Sequence, residues 1–447
     1  MMTLKLAFRG LWRHKIRTLI TVGAIFTSHC WGLVFLSMND GGHELMVEMG
    51  IRQGRAGHVV VQAKDYQQTQ AVELLVTDPE RVRKLIQKKV PRSRVVLRAF
   101  GGGLARSSND AVGVMFAGVE PDQEKHIDDL AKKIVRGVYL GASESAIRTA
   151  EMKEAKRKTD GRKLVSKGLW CARKAGPDEP PRQPVVIGVR MAKTLRVGLC
   201  DKLILDVQGM GDKEQAKMLV VGIFKTGTAD LDAFTLQAPL KVVQRLLHIG
   251  SGVHQVAVFV GSIKRTQATV DAIKGPVEDG SMVVLPWDKA MPEMAEFIWL
   301  DEASGYIFLI ILYLIVMIGV LNTVLMSVME RTREFGVMRA LGAGPWRIVG
   351  LVLAEGLLLG ILGVALGGVL AAYPLYYLET TGIDIAMFTG GEAMEAGGIT
   401  MTIMKGKIYL AGALKACGII VAMTVVAAVY PAIRAAKVKV LKAIHQA

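Results

Sequence analysis

Apolar residues in this chain are gathered in four long runs, and a long stretch of mixed polarity separates the first run from the second. The runs cover 18–38, 303–329, 347–378 and 408–430. A helix needs about 20 consecutive apolar residues to cross a bilayer, so each run predicts a transmembrane helix. The first run has no charged residue and ends in Ser-Met-Asn-Asp, which favours an uncleaved helix over a signal peptide.

The charges that flank these runs predict how the chain is oriented. Basic residues are concentrated in three places: before the first run, between the second and third, and after the fourth. The connection at 379–407 is instead mainly acidic. Because cytoplasmic loops carry an excess of Lys and Arg, 1–17, 330–346 and 431–447 are predicted to be cytoplasmic. Segments 39–302 and 379–407 are then extracytoplasmic.

The segment 39–302 alternates strand-like and helix-like patterns, which predicts a large α+β domain. Stretches rich in β-branched residues predict strands at 58–62, 111–116, 202–207, 218–223, 256–260 and 282–285. Residues 184–195 read as a strand that turns directly into a helix, and 266–273 reads as a helix. The fold class is therefore a membrane protein of four transmembrane helices with an α+β domain between helices 1 and 2.

Composition agrees with a mixture of lipid-embedded and water-facing parts. The 447 residues are 51% hydrophobic and 21% charged, with a net charge of +16. A basic balance can indicate nucleic acid or loops beside an anionic membrane leaflet. The basic residues lie mostly in the predicted cytoplasmic segments, so the membrane explanation is favoured and nucleic acid is set aside.

The third run contains small residues at helical spacing, and one charge. Gly356 and Gly360 are four residues apart, as are Gly363 and Gly367, a pattern that allows close packing of helices in lipid. Glu355 lies about two turns inside the same helix, where a carboxylate is costly unless it is paired. Two interpretations stay open: the side chain reaches the cytoplasmic interface, or it pairs with a neighbouring Arg.

The four cysteines are too few for a disulfide scaffold. Cys30 and Cys417 lie in apolar runs, whereas Cys171 and Cys200 fall in the predicted extracytoplasmic domain. Oxidation is chemically allowed in that compartment, so these two can form a bridge. Free thiols are the alternative, because the sequence gives no pairing geometry.

No residues in the chain suggest catalysis or a resident cofactor. The sequence contains no phosphate-binding G-x-x-x-x-G-K-[ST] loop, no H-E-x-x-H and no paired Cys-x-x-Cys. His29 stands alone in the first run, where a packing role is the plain interpretation. We therefore expect neither an enzyme nor a metal or cofactor site.

The connection at 330–346 contains a short amphipathic pattern. Phe335, Met338 and Leu341 recur at helical spacing, and Arg331 and Glu334 are three residues apart and can pair. Gly342 marks a helix end. So short a helix is marginal in water, so it is expected to lie on the membrane surface or on another protein.

The segment ERTREFGVMRALGA at 330–343 resembles the signature loop of the FtsX/MacB/LolC–LolE permeases, the mechanotransmitting class of ABC transporters. Other parts resemble the same family in order: TLKLAFRGLWRHKIRT at 3–18, VVIG at 185–188, VGIFKTG at 221–227, Glu355, and YPAIRAA at 430–436. The chain departs from the family pattern by an apparent insertion at about 141–183.

The resemblance implies that 330–343 is a coupling helix that docks on a separate ATP-binding subunit. The residues assigned to this contact are Glu330, Arg331, Arg333, Glu334, Phe335, Met338, Arg339, Leu341 and Gly342. Two permeases, identical or paralogous, would assemble with two ATP-binding cassette subunits, which bind the ATP and Mg. The location implied is the bacterial inner membrane, with both termini cytoplasmic.

Within the family, the closest resemblance is to the LolC/LolE type, which implies that lipoproteins are lifted from the inner membrane and passed to a periplasmic carrier. The acyl chains would enter between 18–38 of one permease and 306–329 of its partner. Two alternatives stay open: a tripartite efflux or secretion permease with an adaptor, and a transducer that regulates a periplasmic enzyme.

Overall fold

The computed structural model describes residues 15–438 apart from 54–55, 109, 128, 144, 148, 151–152, 154–182, 212, 388–393, 397–398 and 402. The chain divides into two compact units. The bundle unit comprises Met1–Leu45, Ile298–Gly391 and Thr402–Ala447, and the sheet unit comprises Met46–Phe297 and Glu392–Met401. Most of the apparent insertion at 141–183, including Cys171, lies outside the described residues.

The α-helices, in chain order, are α1 (Lys15–Arg52), α2 (Tyr66–Thr69), α3 (Pro79–Lys89), α4 (Pro121–Glu124), α5 (Val189–Thr194), α6 (Ala229–Phe234), α7 (Leu240–Leu247), α8 (Thr266–Val277), α9 (Trp287–Ala290), α10 (Pro292–Glu330), α11 (Thr332–Ala340), α12 (Pro345–Thr380) and α13 (Leu410–Ala436). Within the described residues, four of these are long and apolar enough to cross a membrane: α1, α10, α12 and α13. The predicted four helices and the α+β domain that follows the first are confirmed.

The helices extend beyond the apolar runs that predicted them. The run at 18–38 lies inside α1, which continues to Arg52, and the run at 303–329 lies inside α10, which begins at Pro292. The predicted cytoplasmic tail at 431–447 begins inside α13, which ends at Ala436. Hydropathy marks where lipid can surround a helix, whereas caps and packing decide where its backbone ends.

The glycines of α12 lie where neighbouring helices approach closely. A Cβ on Gly356 would stand 2.8 Å from the Cβ of Ala428, and one on Gly360 would stand 2.3 Å from Oγ1 of Thr424. Both partners belong to α13. Any larger residue at these positions would force the two helices apart, which is the close approach that small residues permit in lipid.

The second glycine pair of α12 faces α1. A Cβ on Gly363 would stand 2.3 Å from Cγ2 of Ile25, and one on Gly367 would stand 2.8 Å from the carbonyl oxygen of Phe26 and 3.0 Å from the Cβ of His29. His29 itself is fully buried, with Nε2 3.4 Å from Sγ of Cys417. One stripe on α12 thus packs against two different helices.

The strands are β1 (Val59–Ala63), β2 (Arg94–Arg106), β3 (Ala111–Val119), β4 (Ile134–Gly137), β5 (Gln183–Gly188), β6 (Lys202–Gln208), β7 (Lys213–Phe224), β8 (Thr235–Pro239), β9 (Gln255–Phe259), β10 (Met282–Pro286), β11 (Ile383–Asp384), β12 (Met394–Ala396), β13 (Ile399–Met401) and β14 (Ile403–Met404). In the described residues, the main sheet runs β10-β1-β9-β2-β3-β8-β5-β7-β4, and β6 pairs with β2 and β7. The pairs β3–β8 and β5–β7 are parallel, and the other pairs are antiparallel.

All six strands predicted from β-branched residues are present, but the long central strand β2 was not predicted. Its Gly101-Gly102-Gly103 run suggests a loop by composition. In the sheet, a Cβ on Gly101 would stand 2.5 Å from the ring of Phe116, and one on Gly103 would stand 2.5 Å from the backbone oxygen of Asp206. Glycine is therefore needed because neighbouring strands approach the backbone closely.

Candidate functional site

The connection between α10 and α12 folds into the short helix α11. Helix α10 ends at Glu330, and the backbone of Arg331, at φ −99° and ψ 16°, separates it from α11. At the other end, Gly342 adopts φ +89°, which glycine reaches without steric cost. Its N–H donates to the carbonyl oxygen of Arg339, and the N–H of Ala343 donates to that of Met338. These two hydrogen bonds form a Schellman motif, so the helix ends where the sequence predicted.

Arg331 joins α11 to the neighbouring membrane helix. Its Nη1 donates to Oε1 of Glu355 in α12 at 2.5 Å, and its Nε donates to Oε2 of Glu334 at 2.9 Å. The side chains of Arg331 and Glu355 are 11% and 6% exposed. Of the two interpretations for Glu355, the structure therefore has the ion pair, and the predicted pair between Arg331 and Glu334 is present too.

Two further residues of α11 fasten it to the bundle. The ring of Phe335 is 1% exposed and packs among the apolar residues of the bundle interior, 5.3 Å below the guanidinium of Arg331. Nη1 of Arg339 donates to the carbonyl oxygens of Ala436 and Val438 at 2.9 and 3.2 Å. A cation at these carbonyls also suits the negative end of the α13 dipole. Residues 331, 335 and 339 are four apart, so they form one inner face.

The first membrane helix is tied to the same region. Nη1 and Nη2 of Arg17 donate to the two carboxylate oxygens of Glu330 at 2.7 and 2.6 Å. Four residues further along α1, Oγ1 of Thr21 bonds to Oγ1 of Thr323 at 2.9 Å. Helices α1, α12 and α13 therefore all make polar contacts to Glu330, Arg331 or Arg339.

The opposite side of α11 is left open. Arg333 and Val337 are exposed, Leu341 is 83% exposed, and Trp346 at the start of α12 is 82% exposed. Residues 333, 337 and 341 are four apart and point away from the inner face. We call Arg333, Val337, Leu341 and Trp346 the outer face. Large apolar side chains grouped with a charge in this way are typical of a protein or membrane contact.

The sequence interpretation placed Phe335, Met338 and Leu341 on a common side of the helix, and this is wrong. Phe335 is buried in the bundle, Met338 is half-buried against it, and Leu341 is exposed. Phe335 and Leu341 are six residues apart, which is about 120° around a helix of 3.6 residues per turn, so the two side chains do not share one face. The sequence reasoning also missed Val337 and Trp346, although the four-residue spacing of 333, 337 and 341 was available as a signal.

The cysteines differ in oxidation state between the two units, in line with their positions in the sequence. Cys200, in the sheet unit, is disulfide-bonded, whereas Cys30 and Cys417 in the bundle unit are free. The proposed partner Cys171 lies outside the described residues. A disulfide is expected in an oxidising compartment, which agrees with an extracytoplasmic sheet unit.

Comparison with known proteins places α11 within a recognised domain. Residues 306–440 match the family model "FtsX-like permease C-terminal", and this range contains α11. The ABC transporter permease YtrF of Bacillus subtilis is 33% identical over 131 residues, which are 29% of each chain. The macrolide export ATP-binding/permease protein MacB of Campylobacter jejuni is 34% identical over 80 residues, 18% of this chain and 12% of MacB. The matches thus span less than a third of these relatives.

The extracellular domain of the noncanonical ABC-type transporter YknZ from Gram-positive bacteria aligns with 51% of this chain and 98% of its own, at 13% identity and a TM-score of 0.32. The family match places an FtsX-like permease domain at 306–440, and the matched relatives are ABC transporter permease proteins, MacB among them.

Proposed function

We propose that this protein is the permease subunit of an ABC transporter and that α11 docks on a separate ATP-binding subunit. The observation that supports this is the division of α11 into two faces within the FtsX-like domain. The inner face is held by Glu355, by the bundle interior and by the end of α13. The outer face presents Leu341 and Trp346 to whatever binds there.

A push on the outer face would reach three membrane helices through fixed contacts. The links run through the Arg331–Glu355 ion pair to α12, through Arg339 to α13, and through the Arg17–Glu330 ion pair to α1. An energy-transmitting element needs such discrete contacts, because a loosely attached helix would move without carrying its neighbours. Closure of the ATP-binding subunits would supply the movement.

The docking proposal is tested by changing the outer face and leaving the inner face intact. Leu341→Glu places a charge where an apolar contact is expected, and Leu341→Met is the matched conservative control. We expect Leu341→Glu to lose the ATP-binding cassette subunit when the full chain is purified in a mild detergent, while Leu341→Met retains it. Equal retention by both variants would remove Leu341 from the docking surface.

Glu334 tests the coupling step separately from docking. It is 40% exposed and paired with Arg331, so Glu334→Arg replaces an attractive pair with like charges. We expect the complex to assemble and hydrolyse ATP but to transport poorly, because α11 would no longer be held to α12 through Arg331. Wild-type transport by Glu334→Arg would argue against the coupling role.

For the substrate, we propose acylated lipoproteins, which the sequence resemblance to the LolC/LolE type supports. Depletion of the protein should then leave outer-membrane lipoproteins in the inner membrane, and normal sorting would exclude this substrate. Tripartite efflux is the second candidate, and the similarity to a macrolide export protein favours it. Co-purification with a periplasmic adaptor and an outer-membrane channel would support efflux instead.

A further inference from the structure

The exposed side of α3, in the sheet unit, is basic. Pro79, Val82 and Ile86 of this helix are buried, and the latter two belong to the apolar core of the unit. The opposite side and the turn after the helix are exposed and carry five cationic side chains, Arg81, Lys84, Lys88, Lys89 and Arg92. We call these five the basic face. Arg81 and Lys84 are three residues apart and Lys84 and Lys88 are four apart, so they are neighbours on one surface of the helix.

The side chains of the basic face have no ion-pair or hydrogen-bond partner in the part of the chain that the structure describes. The sequence has no Asp or Glu from 81 to 109. The two acids that precede this stretch are engaged at the start of the helix. Asp78 accepts the backbone N–H of Arg81 at 3.1 Å, and Glu80 pairs with Arg83 at 3.4 Å. The basic face therefore offers five cationic groups to an anionic ligand.

Neither membrane topology nor helix formation explains the basic face. The excess of Lys and Arg that sets orientation belongs to cytoplasmic loops, whereas α3 lies in the α+β domain that follows the first membrane helix. Cations suit the last turn of a helix, which accounts for Lys88 and Lys89 but not for Arg81 or Lys84 in its first half. Lys84 and Lys88 are also like charges four residues apart, which destabilises a helix. A bound anion would offset this repulsion.

We propose that the basic face binds a linear polyanion whose repeating charge is a phosphate group. An acidic protein is the other class of anionic partner, and the composition of the face disfavours it. The centre of a protein interface is apolar and is depleted in Lys. Three of the five cations are Lys, and no large apolar side chain is exposed among residues 79–94, all of which the structure describes. The face therefore suits a ligand that is held by charge.

The arrangement of the cations suits a chain-like ligand. At 1.5 Å per residue, Arg81 and Lys88 are separated by about 10 Å along α3, with Lys84 between them. Lys89 ends the helix, and Arg92 follows in the turn after it. A linear polymer laid along the helix meets these groups in succession. Lys supplies a compact charge with three donors, and Arg supplies a planar fork that matches a phosphate. Binding at this face would attach the sheet unit to an anionic polymer of the cell envelope.

Lysine footprinting of the full chain in dodecyl maltoside tests the site directly. Brief acetylation followed by peptide mass spectrometry reports how accessible each lysine is, with and without inorganic polyphosphate as the probe. At a polyphosphate concentration of about four times Kd, acetylation of Lys84, Lys88 and Lys89 should slow about fivefold. Lys213 and Lys217 are the internal controls, because they are exposed on β7 of the same unit, whereas α3 packs on β2 and β9. Their acetylation should not change.

Matched variants and a salt series measure the contribution of charge. Lys84→Gln/Lys88→Gln removes two charges from the basic face, and Lys213→Gln/Lys217→Gln removes the same charge from the control surface. All four side chains are exposed, so both variants should fold. For single-stranded nucleic acid, each neutralised phosphate adds about −0.7 to the slope of log K against log salt concentration. We expect the first variant to weaken polyphosphate binding and to make the slope shallower by about 1.4, and the control variant to change neither.

Poly-L-glutamate with the same number of charges distinguishes the two classes of partner. Its charges stand at the ends of flexible side chains whose ordering costs entropy, so polyphosphate should bind about fivefold or more tightly. Unchanged acetylation of the basic face, or equal effects of the two double variants, would overturn the proposal. Poly-L-glutamate binding as tightly as polyphosphate would also overturn it, in favour of an acidic protein. Because no ATP-binding subunit takes part, failure here leaves the proposed transport function standing, and failure of that function leaves this site standing.

Discussion

Separating the two charges of the Arg331–Glu355 pair should destabilise the bundle unit more than removing both. Arg331→Met leaves a carboxylate that is 6% exposed, and Glu355→Met leaves a guanidinium that is 11% exposed. Loss of Arg331 strands the buried carboxylate of Glu355, at a cost of about 3–5 kcal/mol, which for a unit of this size corresponds to a fall in Tm of roughly 6–20 °C. Loss of Glu355 costs less, because Arg331 keeps its pair with Glu334.

The double variant Arg331→Met/Glu355→Met removes both charges and keeps apolar volume in their place. Replacing a buried pair by apolar residues is often neutral, so we expect a Tm closer to wild type than that of Arg331→Met. The assay is thermal unfolding of the full chain in detergent, analysed as a double-mutant cycle. An Arg331→Met variant that melts within about 2 °C of wild type, or a double variant that loses the sum of both single effects, would refute the reasoning.

Within the glycine stripe, Gly363→Ala should lower the Tm by several degrees, because the new Cβ would stand 2.3 Å from Cγ2 of Ile25. Gly368→Ala is the control and should be neutral or stabilising, because no atom lies within 4 Å of its Cβ position. Equal effects of the two variants on Tm would contradict the packing. In the sheet unit, Arg98→Met leaves the carboxylate of Glu124, which is 0% exposed, without its cationic partner. The free energy of unfolding, measured by chemical denaturation, should therefore fall by about 3–5 kcal/mol. A loss below about 1 kcal/mol would contradict the buried ion pair. Burial lowers the pKa of His254, so the unfolded chain takes up the proton first and the sheet unit should lose stability as the pH falls through about 6.5. In a pH series of melting curves, His254→Gln should lose less stability than wild type, with the remainder due to His58, whose pKa burial also lowers; an unchanged slope would contradict this.

Much of the fold was accessible from the sequence, but the short helix α11 was only partly so. The signature segment predicted a short helix ending at Gly342, and α11 does end there. Its two faces could not be assigned, because amphipathic spacing alone does not say which apolar residues meet the bundle. Phe335 is buried because the end of the bundle receives its ring, while Leu341 lies about 120° around the helix from Phe335 and is exposed.

The sequence by itself determined the four apolar helices, the α+β domain after the first of them and the six strands rich in β-branched residues. Those features depend on local composition and period, which are set by neighbours in the chain. Only the tertiary structure decided that Glu355 pairs with Arg331, that one glycine stripe serves two helices, and that β2 passes through three glycines. Each of these depends on the approach of residues far apart in the chain, where a distance of a few tenths of an ångström decides what fits.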